Sequence, residues 1–168
     1  MVSVFAQSAK ESAEPAQTAT PAAPSAPADK TYNGSEQESG ITCPSGSAAS
    51  GTQKATDQGT YSQTCTLSST TNYKWSDNTT TAKTISWKIA KKAITVTASN
   101  QTVSYGTTIT TGVSKATAAT LVSGHSLNAV TLTQSTTSVA TSGTITPSAA
   151  KIVDGSSNDV TANYSITY

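Results

Sequence analysis

The sequence has few bulky side chains. Of its 168 residues, 35% are hydrophobic and 5% are aromatic, with one Phe and one Met. So few large side chains do not fill one bulky core, but they suit thin β-sandwiches in which half of every strand faces water. Because domains usually contain roughly 50 to 250 residues, the length allows one domain or two small ones. The composition favours two.

An excess of charge of either sign is also missing. Ten basic residues oppose nine acidic ones, which gives a net charge of +1, and the basic residues cluster only at Lys91-Lys92. Nucleic acid is not an expected partner, because binding it requires several phosphates to be neutralised on one face. Apolar runs of the roughly 20 residues that cross a bilayer are missing too. No membrane insertion is therefore expected within this chain.

The N-terminal residues 1–29 are rich in proline and alanine and poor in large apolar side chains. Such a segment buries too little surface to offset the entropy lost on ordering. We therefore predict a flexible linker or tail over residues 1–29, extended and partly of polyproline character.

From Lys30 onwards, β-strand patterns recur between Gly, Asn, Asp and Ser residues. The segments "TISWKIA" (84–90) and "AITVTA" (93–98) alternate apolar and polar residues, and "VTANYSITY" (160–168) does so without a break. Helical periodicity is weak everywhere, and "KATAATLV" (115–122) is the best candidate for a short helical turn. The predicted fold class is all-β.

Two pairs of phrases recur along the chain. "KTYNGSEQ" (30–37) parallels "VSYGTTIT" (103–110), which aligns Tyr32 with Tyr105, and "TNYKW" (71–75) parallels "ANYSI" (162–166), which aligns Tyr73 with Tyr164. The repeats predict two β domains, a first unit over residues 30–91 and a second unit over residues 92–168. "TISWKIA" would close the first unit, and "AITVTA" would open the second.

A family resemblance rests on several phrases taken together. "TYNGSEQ", "DQGTYSQTCTL", "ITVTASNQTVSYG", "LVSGHSLNAVTLT" and "NDVTANYSITY" resemble the tandem Ig-like repeats of bacterial surface proteins, including repeats of the MBG (YGX) type. The similarity covers about residues 30–168. It implies two tandem small Ig-like β-sandwiches, and the alternative for the second unit is a β-grasp-like fold with a short helix.

The same resemblance implies a function outside the cell. It predicts a non-catalytic stalk or adhesin module of a bacterial surface protein, acting as a spacer or as a binding scaffold for a surface protein or glycan, without a cofactor. Related repeats occur in phage virion proteins, so a capsid-decoration or tail protein is the alternative. A carbohydrate- or mucin-binding module is a second alternative.

The end of the second unit departs from the family pattern. Family members usually continue past the final Tyr with a short turn and a last strand, as Lys83–Ala90 does in the first unit, whereas this sequence stops at Tyr168. The resemblance therefore predicts that the second unit lacks its last strand. An open sheet edge of this kind can pair with a strand of another chain.

Cys43 and Cys65 are the only two cysteines. Strand alternation places Cys43 on one face with Ile41, and Cys65 on one face with Tyr61 and Leu67, so both side chains should point into the first unit. If the two strands oppose each other, the pair can form a disulfide. The alternative is two buried free thiols that act as small apolar groups.

Catalytic and metal sites are not expected. His125 is the sole histidine, no nucleophile motif accompanies it, and a structural hydrogen bond is the simpler interpretation. Two Cys and one distant His do not make a tetrahedral metal site. "DGSSND" (154–159) carries oxygen ligands but lacks the spacing of a calcium loop, so we predict a hairpin turn in which Asp154-Gly155 supplies the special backbone angles.

The aromatic residues allow two interpretations. Aromatic side chains on alternating strands usually form the core, and this is the favoured interpretation here, but they can also make a sugar-stacking platform. Trp75 is the candidate ligand-contacting aromatic, because "KWSDN" (74–78) reads as the entry to a turn. Its exposure distinguishes the two interpretations.

Overall fold

The computed structural model describes residues 20–136 and 142–168. Within these ranges, every regular element is a β-strand except two short 3-10 helices, Val113–Lys115 and Thr161–Asn163. The prediction of an all-β chain is therefore confirmed. The residues of "TISWKIA" and "AITVTA" lie in strands whose Ile, Val and Trp side chains are buried and whose Ser, Thr and Lys neighbours are exposed, as the period of two predicts.

Six strands belong to the first unit. They are β1 Lys30–Thr31, β2 Gln37–Glu38, β3 Ser47–Gly51, β4 Lys54–Ala55, β5 Gly59–Leu67 and β6 Lys83–Ala90. One sheet has the order β1-β6-β5-β3, and β2 pairs with β4 in a second sheet. β1 runs parallel to β6, and the other pairs are antiparallel.

Five strands belong to the described part of the second unit. They are β7 Lys92–Ala98, β8 Ala116–Ala119, β9 Ser126–Gln134, β10 Ile145–Val153 and β11 Tyr164–Thr167. One sheet has the order β11-β7-β8, and β9 pairs with β10 in the other. β11 runs parallel to β7, whereas β8 is antiparallel to it. In both units, therefore, the first strand pairs in parallel with the last.

The last strands of the two units differ in the number of strands with which they pair. β6 lies between β1 and β5, whereas β11 ends its sheet and pairs with β7 alone among the described strands. The sequence predicts an open edge in the second unit that can pair with another chain, and this stays a prediction.

The predicted helical turn at residues 115–122 is wrong. Val113–Lys115 forms a 3-10 turn, and the following Ala116–Ala119 is strand β8, paired in register with residues 95–98 of β7. A helix this short is unstable in water even when it is rich in alanine, whereas pairing with β7 satisfies the backbone. The β-grasp-like alternative therefore has no α-helix at this position.

Part of the predicted linker contacts the first unit. Residues 1–19 lie outside the described residues, but Pro21 is buried and its carbonyl accepts a hydrogen bond of 3.0 Å from the Ser76 N–H. Asp29, at the other end of this segment, lies 3.7 Å from Lys88 Nζ. Proline restricts the backbone before folding, so fixing this segment costs less entropy than fixing a flexible one.

The buried apolar side chains of both units form one connected cluster. The two units meet at Lys91, which alone separates β6 from β7. Its members from both units include Tyr32, Trp75, Trp87, Ile89, Ile94, Ile152 and Tyr164. The core therefore continues across the boundary that the repeats predict.

Candidate functional site at the joint between the two units

Aromatic side chains of both units meet at the joint. Tyr32 directly follows β1, and its N–H donates a 2.9 Å hydrogen bond to the Ala90 carbonyl at the end of β6. Its ring is 3% exposed and meets the Tyr164 ring edge to face at 5.6 Å. The His125 ring lies 6.0 Å from each of these two rings. Edge-to-face contacts of this kind add stability beyond that of buried area.

A hydrogen bond orients the single histidine. The Tyr164 hydroxyl lies 2.7 Å from His125 Nδ1 and accepts a 3.2 Å hydrogen bond from the Val122 N–H. Burial raises the pKa of the Tyr164 phenol, so this group keeps its proton. When the Tyr164 O–H donates to His125 Nδ1, the Tyr164 hydroxyl, His125 Nδ1 and the Val122 N–H each have a hydrogen-bond partner.

Asn163 connects the units through its buried side-chain amide. Asn163 is 4% exposed. Its Nδ2 donates a 2.8 Å hydrogen bond to Asp57 Oδ1, and its Oδ1 accepts a 2.8 Å hydrogen bond from the Gln58 N–H. Both partners belong to the segment between β4 and β5 of the first unit. Because an unpaired buried amide is costly, these bonds favour one relative placement of the units.

Close packing at the joint requires glycine at position 34. Gly34 has a φ of +79°, in the left-handed region that favours glycine. A Cβ at this position would lie 2.7 Å from Val122 Cγ1 and 3.4 Å from His125 Nε2. A side chain there would strain the backbone and force the Val122 side chain to shift.

The interpretation of His125 as a partner in a structural hydrogen bond agrees with this geometry.

The turn at residues 154–158 is fixed by hydrogen bonds to Asp154. Its Oδ1 accepts hydrogen bonds of 2.9 Å from the Ser156 N–H and 2.8 Å from the Asn158 N–H. Hydrogen bonds led by that of the Asn158 side chain lower the pKa of Asp154. The prediction that Asp154-Gly155 supplies the special backbone angles is wrong, because Ser157 has the positive φ, +67°.

Cys43 and Cys65 lie on opposing segments of the first unit, and a disulfide joins them with a Cα–Cα distance of 5.5 Å. Cys65 is fully buried on β5. Of the two alternatives that the sequence leaves open, the structure contains the disulfide.

Trp75 is not available to a ligand. It is fully buried, and its Nε1 donates a 2.7 Å hydrogen bond to the Thr81 carbonyl. The turn folds back over the indole, since the Trp75 N–H also bonds the Thr79 carbonyl at 2.9 Å. The hypothesis of a ligand-contacting Trp75 is therefore wrong, and its interpretation as a core residue is correct.

Several residues of the joint were not singled out by the sequence. Asp57 and Asn163 are 106 positions apart, and Gly34 is one of ten glycines. The repeated phrase "ANYSI" (162–166) contains both Tyr164 and Asn163. Its pairing with Asp57 has no local signature in the sequence.

Comparison with known proteins gives no matching family model, no matching curated protein and no matching solved structure. Across residues 20–136 and 142–168, no group of three His, Cys, Asp or Glu residues is placed to hold a metal ion. No helix in the same ranges is long and apolar enough to cross a membrane. The resemblance to bacterial Ig-like repeats stays a prediction.

Proposed function

We propose that this chain is a non-catalytic module of a bacterial surface protein, in which two tandem Ig-like β-sandwiches act as an extracellular spacer or binding scaffold. The observation that carries the proposal is the buried joint. Tyr32 packs against Tyr164 across it, and Asn163 bonds Asp57 and Gln58 across it. A spacer needs a fixed angle between its units, and this joint opposes bending.

The parallel pairing of the first and last strands suits a chain under tension. In the second unit, Lys92 pairs with Tyr164 and Thr95 pairs with Thr167. Tension that enters at Lys92 and leaves at Thr167 pulls the two strands along each other in opposite directions. Several ladder hydrogen bonds then share the load, instead of breaking one after another. β1 and β6 have the same arrangement in the first unit.

A distance measurement between the units tests the fixed joint. Spin labels at Ser50→Cys in the first unit and Thr131→Cys in the second occupy exposed strand positions, and the disulfide keeps the native cysteines from reacting. We expect a single narrow distance distribution that broadens in Asn163→Ala. A broad distribution in the otherwise unmodified chain would contradict a spacer function.

The cellular location has its own test. Brief protease treatment of intact host cells should remove the chain if it lies outside the cell, while a cytoplasmic marker protein stays intact. Protection of the chain in intact cells, together with digestion after lysis, would contradict the surface assignment.

A further inference from the structure

The second unit carries an open cleft of about 740 Å³ at the end away from the joint. β7 begins next to the joint at Lys92, and its last residue, Ala98, lines the cleft. At about 3.3 Å per strand residue, the cleft lies roughly 20 Å along β7 from the joint. We call it the Tyr105 cleft, after the aromatic residue in its wall. The joint contacts do not use it.

Among the described residues that line the Tyr105 cleft, none carries a charged side chain. Its polar groups are the amides and hydroxyls of Asn100, Gln101, Ser104, Gln134, Ser135 and Ser142. An anionic or cationic ligand would find no side chain of opposite charge there. Amides and hydroxyls both donate and accept hydrogen bonds, as the hydroxyl groups of an uncharged sugar do.

Tyr105 adds an aromatic face to this wall. Its side chain is 78% exposed, the largest exposure among the large hydrophobic residues described. The turn beneath it is fixed, because the Thr107 N–H donates a 3.1 Å hydrogen bond to the Ser104 carbonyl and Gly106 has a φ of +75°. An exposed ring on a fixed turn can stack on a ligand with little loss of entropy.

Two glutamines hold the opposite side of the loop. Gln101 makes a two-bond pair with the backbone of Thr110, donating from Nε2 and accepting at Oε1, each at 2.9 Å. Gln134 Oε1 accepts a 2.7 Å hydrogen bond from the Ile109 N–H. The loop between β7 and β8 is thus fixed to β9, which holds this wall of the cleft in place.

We propose that the Tyr105 cleft binds a neutral glycan, with the Tyr105 ring stacked on the apolar face of one sugar ring and the neighbouring amides and hydroxyls bonded to its hydroxyl groups. Uncharged sugars match both properties of the cleft, a polar lining without charge and an exposed aromatic face. The inference rests on the proposed surface function, since a scaffold that presents such a cleft would be an adhesin.

The first test is an array of neutral and sialylated oligosaccharides, followed by titration calorimetry with each neutral oligosaccharide that binds. We expect Tyr105→Ala to weaken binding by about tenfold, and Tyr105→Phe, which keeps the stacking face, to stay within about twofold of the native chain. Val113→Ala is the matched control, because Val113 is 41% exposed and does not line the cleft. We expect it to leave affinity unchanged.

Melting curves must show that all three variants fold. Absence of binding to every neutral glycan, binding restricted to sialylated glycans, or binding unaffected by Tyr105→Ala would each overturn the proposal. Self-association that Tyr105→Ala abolishes, without glycan binding, would instead identify the cleft as a protein interface. If the chain binds glycans but the spin labels show a broad distance distribution between the units, the spacer function alone is overturned. If the distance distribution is narrow but no glycan binds, the glycan site alone is overturned.

Discussion

The two units share one parallel strand pair but differ in the order of their other strands and in the residues that stabilise them. In each unit the first strand pairs in parallel with the last. The first unit adds a disulfide and two buried tryptophans, Trp75 and Trp87, whereas the buried residues of the second are smaller and include Ile94, Val96 and Ile152. The last strand of the first unit has neighbours on both sides, and β11 has one among the described strands. The shared parallel pair therefore does not imply the same stability.

The repeated phrases at residues 30–37 and 103–110 show a second difference. Tyr32 is 3% exposed because the second unit covers it, whereas Tyr105 is 78% exposed at the opposite end of the second unit. Similar residues thus serve as core in one unit and as surface in the other. Burial of an aromatic side chain depends on which element lies beside it.

The largest expected effect comes from the core of the first unit. Trp75→Ala should lower the free energy of unfolding of the first unit by about 3–5 kcal/mol, because the substitution leaves a large cavity. The matched change in the second unit, Ile152→Ala, should cost about 2–4 kcal/mol. Urea unfolding followed by the fluorescence of Trp87 reports on the first unit. A Trp75→Ala variant with unchanged stability would contradict the burial of this side chain.

Removal of the disulfide should narrow the difference in free energy of unfolding between the two units. The bond closes a loop with a sequence separation of 22, and releasing it should lower the free energy of unfolding of the first unit by about 3 kcal/mol, through the entropy of the unfolded chain. Urea unfolding of the native chain with and without reductant measures this. Equal midpoints would contradict a stabilising bond, and Cys43→Ala/Cys65→Ala should unfold at the midpoint of the reduced chain or below it.

The joint should couple the two units energetically. Asn163→Ala leaves Asp57 Oδ1 and the Gln58 N–H without this partner. The substitution should therefore lower the free energy of unfolding by about 1–3 kcal/mol. A double-mutant cycle of Asp57→Ala and Asn163→Ala should show non-additive costs, since each single change removes the same contact. Additive costs would mean that the units do not interact through this pair. Asp29→Ala provides a control, because Asp29 lies in an exposed ion pair within the N-terminal half.

The smallest expected effect is an acid-dependent one in the first unit. Hydrogen bonds from Lys83 and Thr79 lower the pKa of Asp77 from 3.8 to about 2. A lowered pKa in the folded state stabilises the protein at pH above 3.8, and this contribution disappears as the pH falls towards 2. The Tm difference between the native chain and Asp77→Asn should therefore shrink between these two pH values. A difference that stays constant would contradict the assigned hydrogen bonds.

Local pattern predicted much of the fold. The alternation of Ile85, Trp87 and Ile89 predicted β6, and that of Ile94 and Val96 predicted β7, because a half-buried strand requires a period of two. The short helix at 115–122 was wrong because pairing with β7 outweighs the local preference of alanine.

Sequence by itself determined β6, β7 and the inward direction of the two cysteines, since each depends on residues close together in the chain. The unbroken alternation predicted over residues 160–168 was wrong, because Thr161–Asn163 forms a 3-10 helix and only Tyr164–Thr167 is a strand. Tertiary structure alone decided that Asn163 bonds Asp57, that Trp75 is covered by its own turn, and that Tyr32 is buried while Tyr105 is exposed. These outcomes depend on which distant segments meet. Contacts between residues far apart in the chain leave no periodic trace in the sequence.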